Sequence, residues 1–179
     1  SGASSLGPAE LLNLAETHFA RGDFDKALEA TQRAFDLQRK TGAKKESIQS
    51  LSFMAGIFAK LDRIPEAVAA CDVAIPIAAG TEAAADADFQ AVKLEQQLYA
   101  SERKAFYKRS IDERLGRITK DFPSHPAASY KWLVEGRILE AEKKFAEPAE
   151  QYALVKPGSP SYEECLFRAG HCRFAEGKR

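Results

Sequence analysis

The sequence has 179 residues, of which 45% are hydrophobic, and its 26 basic side chains balance its 26 acidic ones. This composition predicts a folded protein with a sizeable core and excludes a chain that excess charge would keep disordered. No run of about 18 apolar residues occurs, so we expect no membrane span.

The first ten residues, SGASSLGPAE, lack the charged and apolar regions of a signal peptide. Ser1 and Gly2 are typical of the scar that a cloned tag leaves, so we expect residues 1–7 to be a disordered remnant of this kind. The native N-terminus, with any export signal, would then be absent. On this ground the sequence leaves the cellular compartment open.

Residues 8–41 contain two amphipathic segments separated by a short turn. The first apolar stripe comprises Leu11, Leu14, Ala15, His18 and Phe19, and the second comprises Phe24, Ala27, Leu28, Ala34 and Phe35. Each stripe follows the three- and four-residue spacing of one helix face, and Gly22-Asp23 interrupts the pattern between them. We therefore predict two antiparallel helices joined by a tight turn.

Small and aromatic residues stand at fixed places in this hairpin, namely Leu14, Ala15, Gly22, Asp23, Phe24, Ala27, Leu28 and Ala34. Their spacing resembles the tetratricopeptide repeat (TPR), a unit of about 34 residues. Ala15 and Ala27 would let the helix axes approach closely, and Gly22 can take the positive φ of the turn. The resemblance implies an all-α fold, a right-handed superhelical solenoid of antiparallel helical hairpins.

The same pattern returns over residues 44–80, so we predict two such hairpins within residues 8–80. Asp62 stands where the first unit has its turn glycine, and Pro65 falls in a first helical turn, where its missing N–H costs least. Residues 81–122 contain two amphipathic segments of helix length without the turn glycine. We predict a degenerate helical hairpin there. A capping or linker helix pair between two repeat stacks is the alternative.

A period of 34 residues governs the last third of the chain, where it relates Pro123 to Pro157, Pro126 to Pro160 and Gly136 to Gly170. A fixed period of this size is typical of a solenoid, whose units bury their apolar faces against each other. We predict that residues 123–179 form a further hairpin and the first helix of a truncated repeat, within one continuous solenoid domain. We also expect a fragment of a longer protein, or an open C-terminal end that self-associates.

The proline-punctuated segment FPSHPAA precedes a repeat helix. This arrangement resembles the repeats of bacterial cell-envelope proteins that assist division and outer-membrane assembly, and the resemblance covers about a third of the chain. It implies a bacterial source and an exported protein. The sequence itself leaves the location open between the cytoplasm and the periplasm or cell envelope.

The sequence shows no catalytic or cofactor motif. It lacks a glycine-rich phosphate loop, a G-x-S-x-G motif and an H-E-x-x-H motif. The histidines are dispersed, and Cys71, Cys165 and Cys172 do not have the spacing of metal ligands. We therefore expect reduced packing cysteines, no metal, no cofactor and no enzymatic activity.

Basic residues concentrate in one predicted helix and comprise Arg103, Lys104, Lys108, Arg109, Arg114, Arg117 and Lys120. Because aromatic stacking groups are not interleaved with these cations, the segment is more typical of a solvated helix face than of a phosphate-binding surface. We therefore do not expect nucleic acid as a partner. A nucleic-acid-linked regulator is retained only as an alternative.

Stacked helical hairpins offer a concave wall of first helices, which suits an extended peptide or a partner helix. We therefore predict a non-catalytic protein–protein interaction scaffold, with a regulatory or docking segment of a larger enzyme as the alternative. The residues predicted to face the groove are Glu16, Phe19, Gln49, Lys60, Tyr130, Arg137, Glu140, Phe167, His171 and Phe174. An equally open interpretation is that Phe19, Phe167 and Phe174 pack between hairpins.

Overall fold

The computed structural model of the protein describes residues 6–142 and 146–177. Over these ranges the chain forms nine α-helices, one 3-10 segment and no strand. In chain order the helices are α1 (Pro8–Ala20), α2 (Phe24–Thr41), α3 (Lys44–Lys60), α4 (Ile64–Ile77), α5 (Glu82–Glu102), α6 (Ala105–Asp121), the 3-10 segment (Pro126–Tyr130), α7 (Lys131–Ala141), α8 (Ala146–Ala153) and α9 (Tyr162–Glu176). The predicted all-α fold of packed helices is confirmed over these ranges. Residues 1–5 of the predicted scar, and the last two residues of the chain, lie outside the described ranges.

The helices group into two compact units, and the boundary between them follows Leu94, within α5. In the first unit α1 packs on α2, α2 on α3 and α3 on α4. In the second unit α7 packs on α6, α8 and α9, and α8 also packs on α9. Each unit is therefore built from helices that contact their neighbours along the chain. That residues 81–122 form a degenerate helical hairpin, and that the chain is one continuous solenoid domain, both stay predictions.

Alanines fill the places where helices of the first unit pack most closely. Ala15, Ala27, Ala34, Ala55 and Ala67 are fully buried. Because only a methyl group stands between the two backbones at such positions, the helix axes can approach to about 8–10 Å. The alanine spacing in the sequence therefore reports the packing of one helix on the next.

In both hairpins of the first unit, a residue with a left-handed backbone conformation follows the first helix. Gly22, which follows α1, has a φ of 81°, and Asp62, which follows α3, has a φ of 57°. Glycine adopts this conformation without a steric cost, whereas a Cβ atom costs about 1 kcal/mol there. Asp62 is therefore a tolerated departure from the turn glycine of the repeat pattern.

We expect Asp62→Gly to raise the free energy of unfolding by about 0.5 kcal/mol, because relief of the backbone strain exceeds the added freedom of the unfolded chain. Urea unfolding followed by circular dichroism measures the change. Gly22→Ala is the matched control and should lower the free energy of unfolding by about 1 kcal/mol. A destabilised Asp62→Gly variant would show that the aspartate contributes more than its backbone strain costs.

The core of the second unit lies between α7, α8 and α9. Its buried members are Leu133, Ala149, Tyr152, Val155, Cys165, Ala169 and Cys172. Tyr130, the last residue of the 3-10 segment, and Trp132 pack against this core. Pro148 is buried and lies in the first turn of α8, where the missing N–H removes no helical hydrogen bond. The helix therefore begins before this proline.

Prolines shape the two loops that precede α7 and α9. Phe122, which precedes Pro123, leaves the helical region with a φ of −134° and so ends α6. Pro126 then occupies the first position of the 3-10 segment. The two loops are joined, because the Ser161 hydroxyl donates a hydrogen bond of 2.9 Å to the Ser129 carbonyl. The 34-residue proline period thus places equivalent loops side by side in the second unit.

Candidate partner-binding surfaces

The side chain of Phe19 lies in an aromatic cluster of the first unit. Its ring centroid is 5.3 Å from that of Phe24 and 5.4 Å from that of Phe53. These are favourable edge-to-face and tilted contacts, which hold α1 against α2 and α3. Phe19 therefore packs between helices and remains only partly exposed.

Three other predicted groove residues of the first unit, Glu16, Gln49 and Lys60, are exposed. Gln49 lines a cavity of about 230 Å³ between α3, α4 and α5. Ser52 and Gln90 also line it, and the Ser52 hydroxyl donates a 3.2 Å hydrogen bond to the Gln90 side-chain oxygen. Ligand pockets usually exceed about 300 Å³, so this cavity suits a single side chain of a partner better than a small molecule.

Arg137 and Glu140 of α7 meet Glu164 and Arg168 of α9 in an alternating set of charges, called here the charge ladder. Arg137 donates a hydrogen bond to Glu164. Arg168 donates to Glu164 and to Glu140, each at 3.0 Å. The hydrogen bond from Arg137 is the main cause that lowers the pKa of Glu164.

The charge ladder includes two residues that the sequence singled out and two that it did not. Glu164 and Arg168 lie one helical turn apart on α9, which is the only sequence signal that could have indicated them. Their positions opposite α7 depend on how the two helices pack, and no spacing in the sequence states that.

A buried thiol lies behind the charge ladder. The Cys172 sulfur donates a hydrogen bond of 3.2 Å to Glu140. Burial and this hydrogen bond raise the pKa of Cys172 to about 11, and burial also raises the pKa of Cys165. Both side chains are therefore neutral packing thiols near pH 7 and not the thiolates that bind metals or act as nucleophiles. In the described parts of the chain no three acidic, histidine or cysteine side chains are grouped to hold a metal ion.

The side of α9 that faces away from the buried Cys165 and Cys172 presents large apolar side chains to solvent. Phe167 is 76% exposed, Phe174 is 64% exposed, and Leu166 is also exposed. Phe167, Gly170 and Phe174 share one helix face because they are three and four residues apart. His171 is exposed beside them. Phe167 and Phe174 are therefore mostly exposed, in contrast to Phe19.

Sequence reasoning missed a larger cavity in the second unit, of about 510 Å³. Its walls include Pro123, His125, Pro126, Trp132, Lys156 and Pro160. The signal that could have found it is the 34-residue proline period, since this period places the two loops next to each other.

The cationic helix predicted around residues 103–120 has much of its charge balanced by acidic groups. Arg114 is buried against Glu95, and Lys108 donates a 2.8 Å hydrogen bond to Glu142. Lys104 also pairs with a carboxylate, that of Glu102. The helix therefore presents a weaker positive field to a phosphate backbone than its sequence indicates.

Residues 8–79, which contain both hairpins of the first unit, match the model of the tetratricopeptide repeat. The match identifies this segment as similar to the TPR family. A comparison of the whole sequence with curated proteins found no match. TPR units generally mediate protein–protein interactions, through the surfaces that their stacked helices present.

Solved structures with TPR-like repeats resemble the chain in fold. The match covers 98% of this chain and 90% of a Podosopora anserina protein described as a kinesin light chain with nearly identical TPR-like repeats, with a TM-score of 0.61 and 16% identity. BtubC (BKLC) of P. vanneervenii matches 96% of the chain with a TM-score of 0.54 and 18% identity, and the chain spans 65% of that protein. At such identities the likeness shows the TPR-like fold alone.

The TPR hairpins place the predicted groove residues of the first unit on first helices. Glu16 and Phe19 lie on α1, and Gln49 and Lys60 lie on α3. In the second unit the corresponding residues lie on α7 and α9, apart from Tyr130. That these residues together contact a partner stays a prediction. Among the described residues, no helix has both the length and the apolar character that crossing a bilayer requires.

Proposed function

We propose that the protein is a non-catalytic interaction scaffold, which binds a peptide or a helix of a protein partner through the surfaces of its first helices. One observation carries the proposal. The charge ladder joins α7 to α9, and α9 also exposes Phe167 and Phe174. Arginine and aromatic side chains with apolar surroundings are the groups that dominate binding energy at protein interfaces.

The charge ladder suits binding because its side chains are already ordered. Each arginine is held by a glutamate of the facing helix, so binding would immobilise few additional rotamers. Arg137 and Glu164 nevertheless remain 41% and 42% exposed, and can bind a charged group of a partner. Exposed Glu16 and Lys60 would add charge selectivity in the first unit.

We expect a variant carrying Arg137→Ala, Phe167→Ala and Phe174→Ala to retain less than about a tenth of the partner that the parent protein captures from a cell lysate. Quantitative mass spectrometry of the captured proteins measures the loss. The matched control carries Val73→Ala and Leu154→Ala, which truncate exposed apolar side chains outside the first helices. Both variants must retain the helical circular dichroism of the parent.

Capture that falls in the triple variant and persists in the control would support binding through α7 and α9. The proposal is wrong if the triple variant captures the same partners as the parent. It is also wrong if the control loses them to the same extent, since binding would then depend on apolar surface in general.

A further inference from the structure

The cavity beside the two proline-containing loops of the second unit, called here the proline cavity, has a volume of about 510 Å³. Small-molecule sites usually measure about 300–1,000 Å³. The loop before α7 contributes Pro123 and Pro126 to its wall, the loop before α9 contributes Pro160, and α7 contributes Trp132. The proline cavity can therefore hold a whole small molecule, in contrast to the cavity of about 230 Å³ beside Gln49.

The wall of the proline cavity is largely fixed before any ligand binds. Because the pyrrolidine ring holds φ near about −65°, each of the three prolines stiffens its loop. The hydrogen bond from the Ser161 hydroxyl to the Ser129 carbonyl joins the two loops. Trp132 also packs against the core of the second unit. Binding would therefore order few additional groups, which lowers its entropic cost.

Three hydroxyl groups of this wall already donate hydrogen bonds to the backbone of their own segments. Thr119 donates at 2.8 Å to the carbonyl four residues earlier, and Ser129 donates at 2.7 Å to the carbonyl three residues earlier. Ser159 also donates to the carbonyl three residues before it. The prolines have no N–H group. These hydroxyl hydrogens are therefore engaged, and the prolines offer a ligand no backbone donor.

The charge in the wall of the proline cavity favours an anion. Lys156 lines the cavity and is exposed, whereas none of the described residues in the wall is an aspartate or a glutamate. A lysine ammonium group has three hydrogen-bond donors and no acceptor. Trp132 and Val155 add apolar surface, and an aromatic ring also packs favourably on another flat ring. The wall thus combines one cation with aromatic and apolar surface.

We propose that the proline cavity binds a small organic anion, whose flat apolar ring lies against Trp132 and whose carboxylate pairs with Lys156. The inference goes beyond the proposed function and does not depend on it, because the ligand is a small molecule and not a protein. Among the described residues of the wall, none belongs to the set predicted to contact a protein partner. The two sites can therefore be tested separately.

Trp132 provides a direct signal for binding in the proline cavity. It is the one tryptophan of the sequence, so a proton–nitrogen correlation spectrum of the full chain contains one tryptophan indole signal, which a ligand beside the ring shifts. The probe is cinnamate, a flat aromatic carboxylate. Cinnamamide has the same ring without the charge, and acetate has the charge without the ring.

We expect cinnamate to shift the indole signal saturably and acetate to leave it unchanged. Cinnamamide should bind about tenfold more weakly than cinnamate, because it loses the charged hydrogen bond to Lys156. The probes therefore separate the contribution of the carboxylate from that of the ring.

The variant Lys156→Gln should bind cinnamate about tenfold more weakly than the parent protein, since it removes the cation from an exposed position where folding does not depend on it. Lys156→Arg keeps the charge and should retain binding. Lys120→Gln is the matched control, because Lys120 is an exposed lysine of the second unit outside the wall of the cavity. This control should bind cinnamate as the parent does.

The inference is overturned if cinnamate does not shift the indole signal at its solubility limit, or if cinnamamide binds as tightly as cinnamate. Equal losses in Lys156→Gln and Lys120→Gln would also overturn it, since binding would then depend on overall charge. If cinnamate displaces a protein captured from a lysate, the cavity belongs to a side chain of that protein and not to a small molecule. The spectra are recorded without a protein partner, so failure here is distinguishable from failure of the proposed function.

Discussion

Replacing Gly136 by alanine should lower the free energy of unfolding of the second unit by about 3 kcal/mol, because it forces a methyl group into a filled core. The added Cβ atom would lie 2.2, 2.5 and 2.6 Å from three ring carbons of Tyr152. The ring has little space to move, since Tyr152 is fully buried among the core residues of α7, α8 and α9. Backbone of α7 or α8 must therefore shift to admit the methyl group.

Urea unfolding followed by tryptophan fluorescence measures this loss. Trp132 is the one tryptophan of the chain and packs against the core of the second unit, so its emission reports on this unit. Gly170→Ala is the matched control in the next repeat and should raise the free energy of unfolding by about 0.5–1 kcal/mol, through helix propensity. An equal response of the two glycines would contradict the close contact between Gly136 and Tyr152.

The variant Arg114→Met should lower the free energy of unfolding by about 3–5 kcal/mol, because it leaves a buried carboxylate without its cation. The side chains of Arg114 and Glu95 are 7% and 3% exposed. Arg114 donates two hydrogen bonds to the carboxylate of Glu95, at 3.1 and 3.2 Å, and the Ser110 hydroxyl donates a third at 2.7 Å. Of these three hydrogen bonds, only the one from the Ser110 hydroxyl would remain to stabilise the buried carboxylate of Glu95.

A double-mutant cycle tests this interpretation. The double variant Glu95→Leu/Arg114→Met should recover most of the lost stability, since apolar side chains replace a buried ion pair at little cost. Glu66→Gln, which breaks the exposed pair with Arg63, is the control and should produce no measurable change. If the double variant is as unstable as Arg114→Met, the loss comes from the packing of the arginine side chain and not from an unpaired charge.

Sequence alone could predict the fold because the fold depends on small residues at fixed places. Ala15 and Ala27 are buried where helices pack, and Gly22 adopts the positive φ of the turn. Gly136 is covered by an aromatic ring, as a close-packing position of the repeat requires. Each of these properties follows from the residue itself and its spacing, so a single sequence contains it.

The partners of charged residues could not be predicted in the same way. Arg114 belongs to a cationic stripe in the sequence, yet in the fold it pairs with Glu95 on the preceding helix. Arg137 and Glu140 owe their arrangement to Glu164 and Arg168 on another helix. These pairs depend on how helices are rotated about their axes, and periodicity in one segment does not determine the rotation of its neighbour.

The surroundings of the phenylalanine side chains could not be predicted from the sequence either. Phe19 lies on α1 and Phe174 on α9, and the sequence could not distinguish packing from exposure for either. Two further rings, those of Phe24 and Phe53, surround Phe19, whereas Phe174 remains mostly exposed. The difference comes from the neighbouring helices and not from the local pattern.

Packing between neighbours along the chain also determines how each unit acquires its structure. Contacts between residues close in sequence require only small loops to be closed, which makes folding fast and allows it to start at any hairpin. One hairpin can then open while an adjacent one keeps its structure, so the amide protons of different helices in a unit should exchange with solvent at different rates. A partner that holds two adjacent first helices together would slow this opening, and would bind less tightly to a chain in which one hairpin is already frayed.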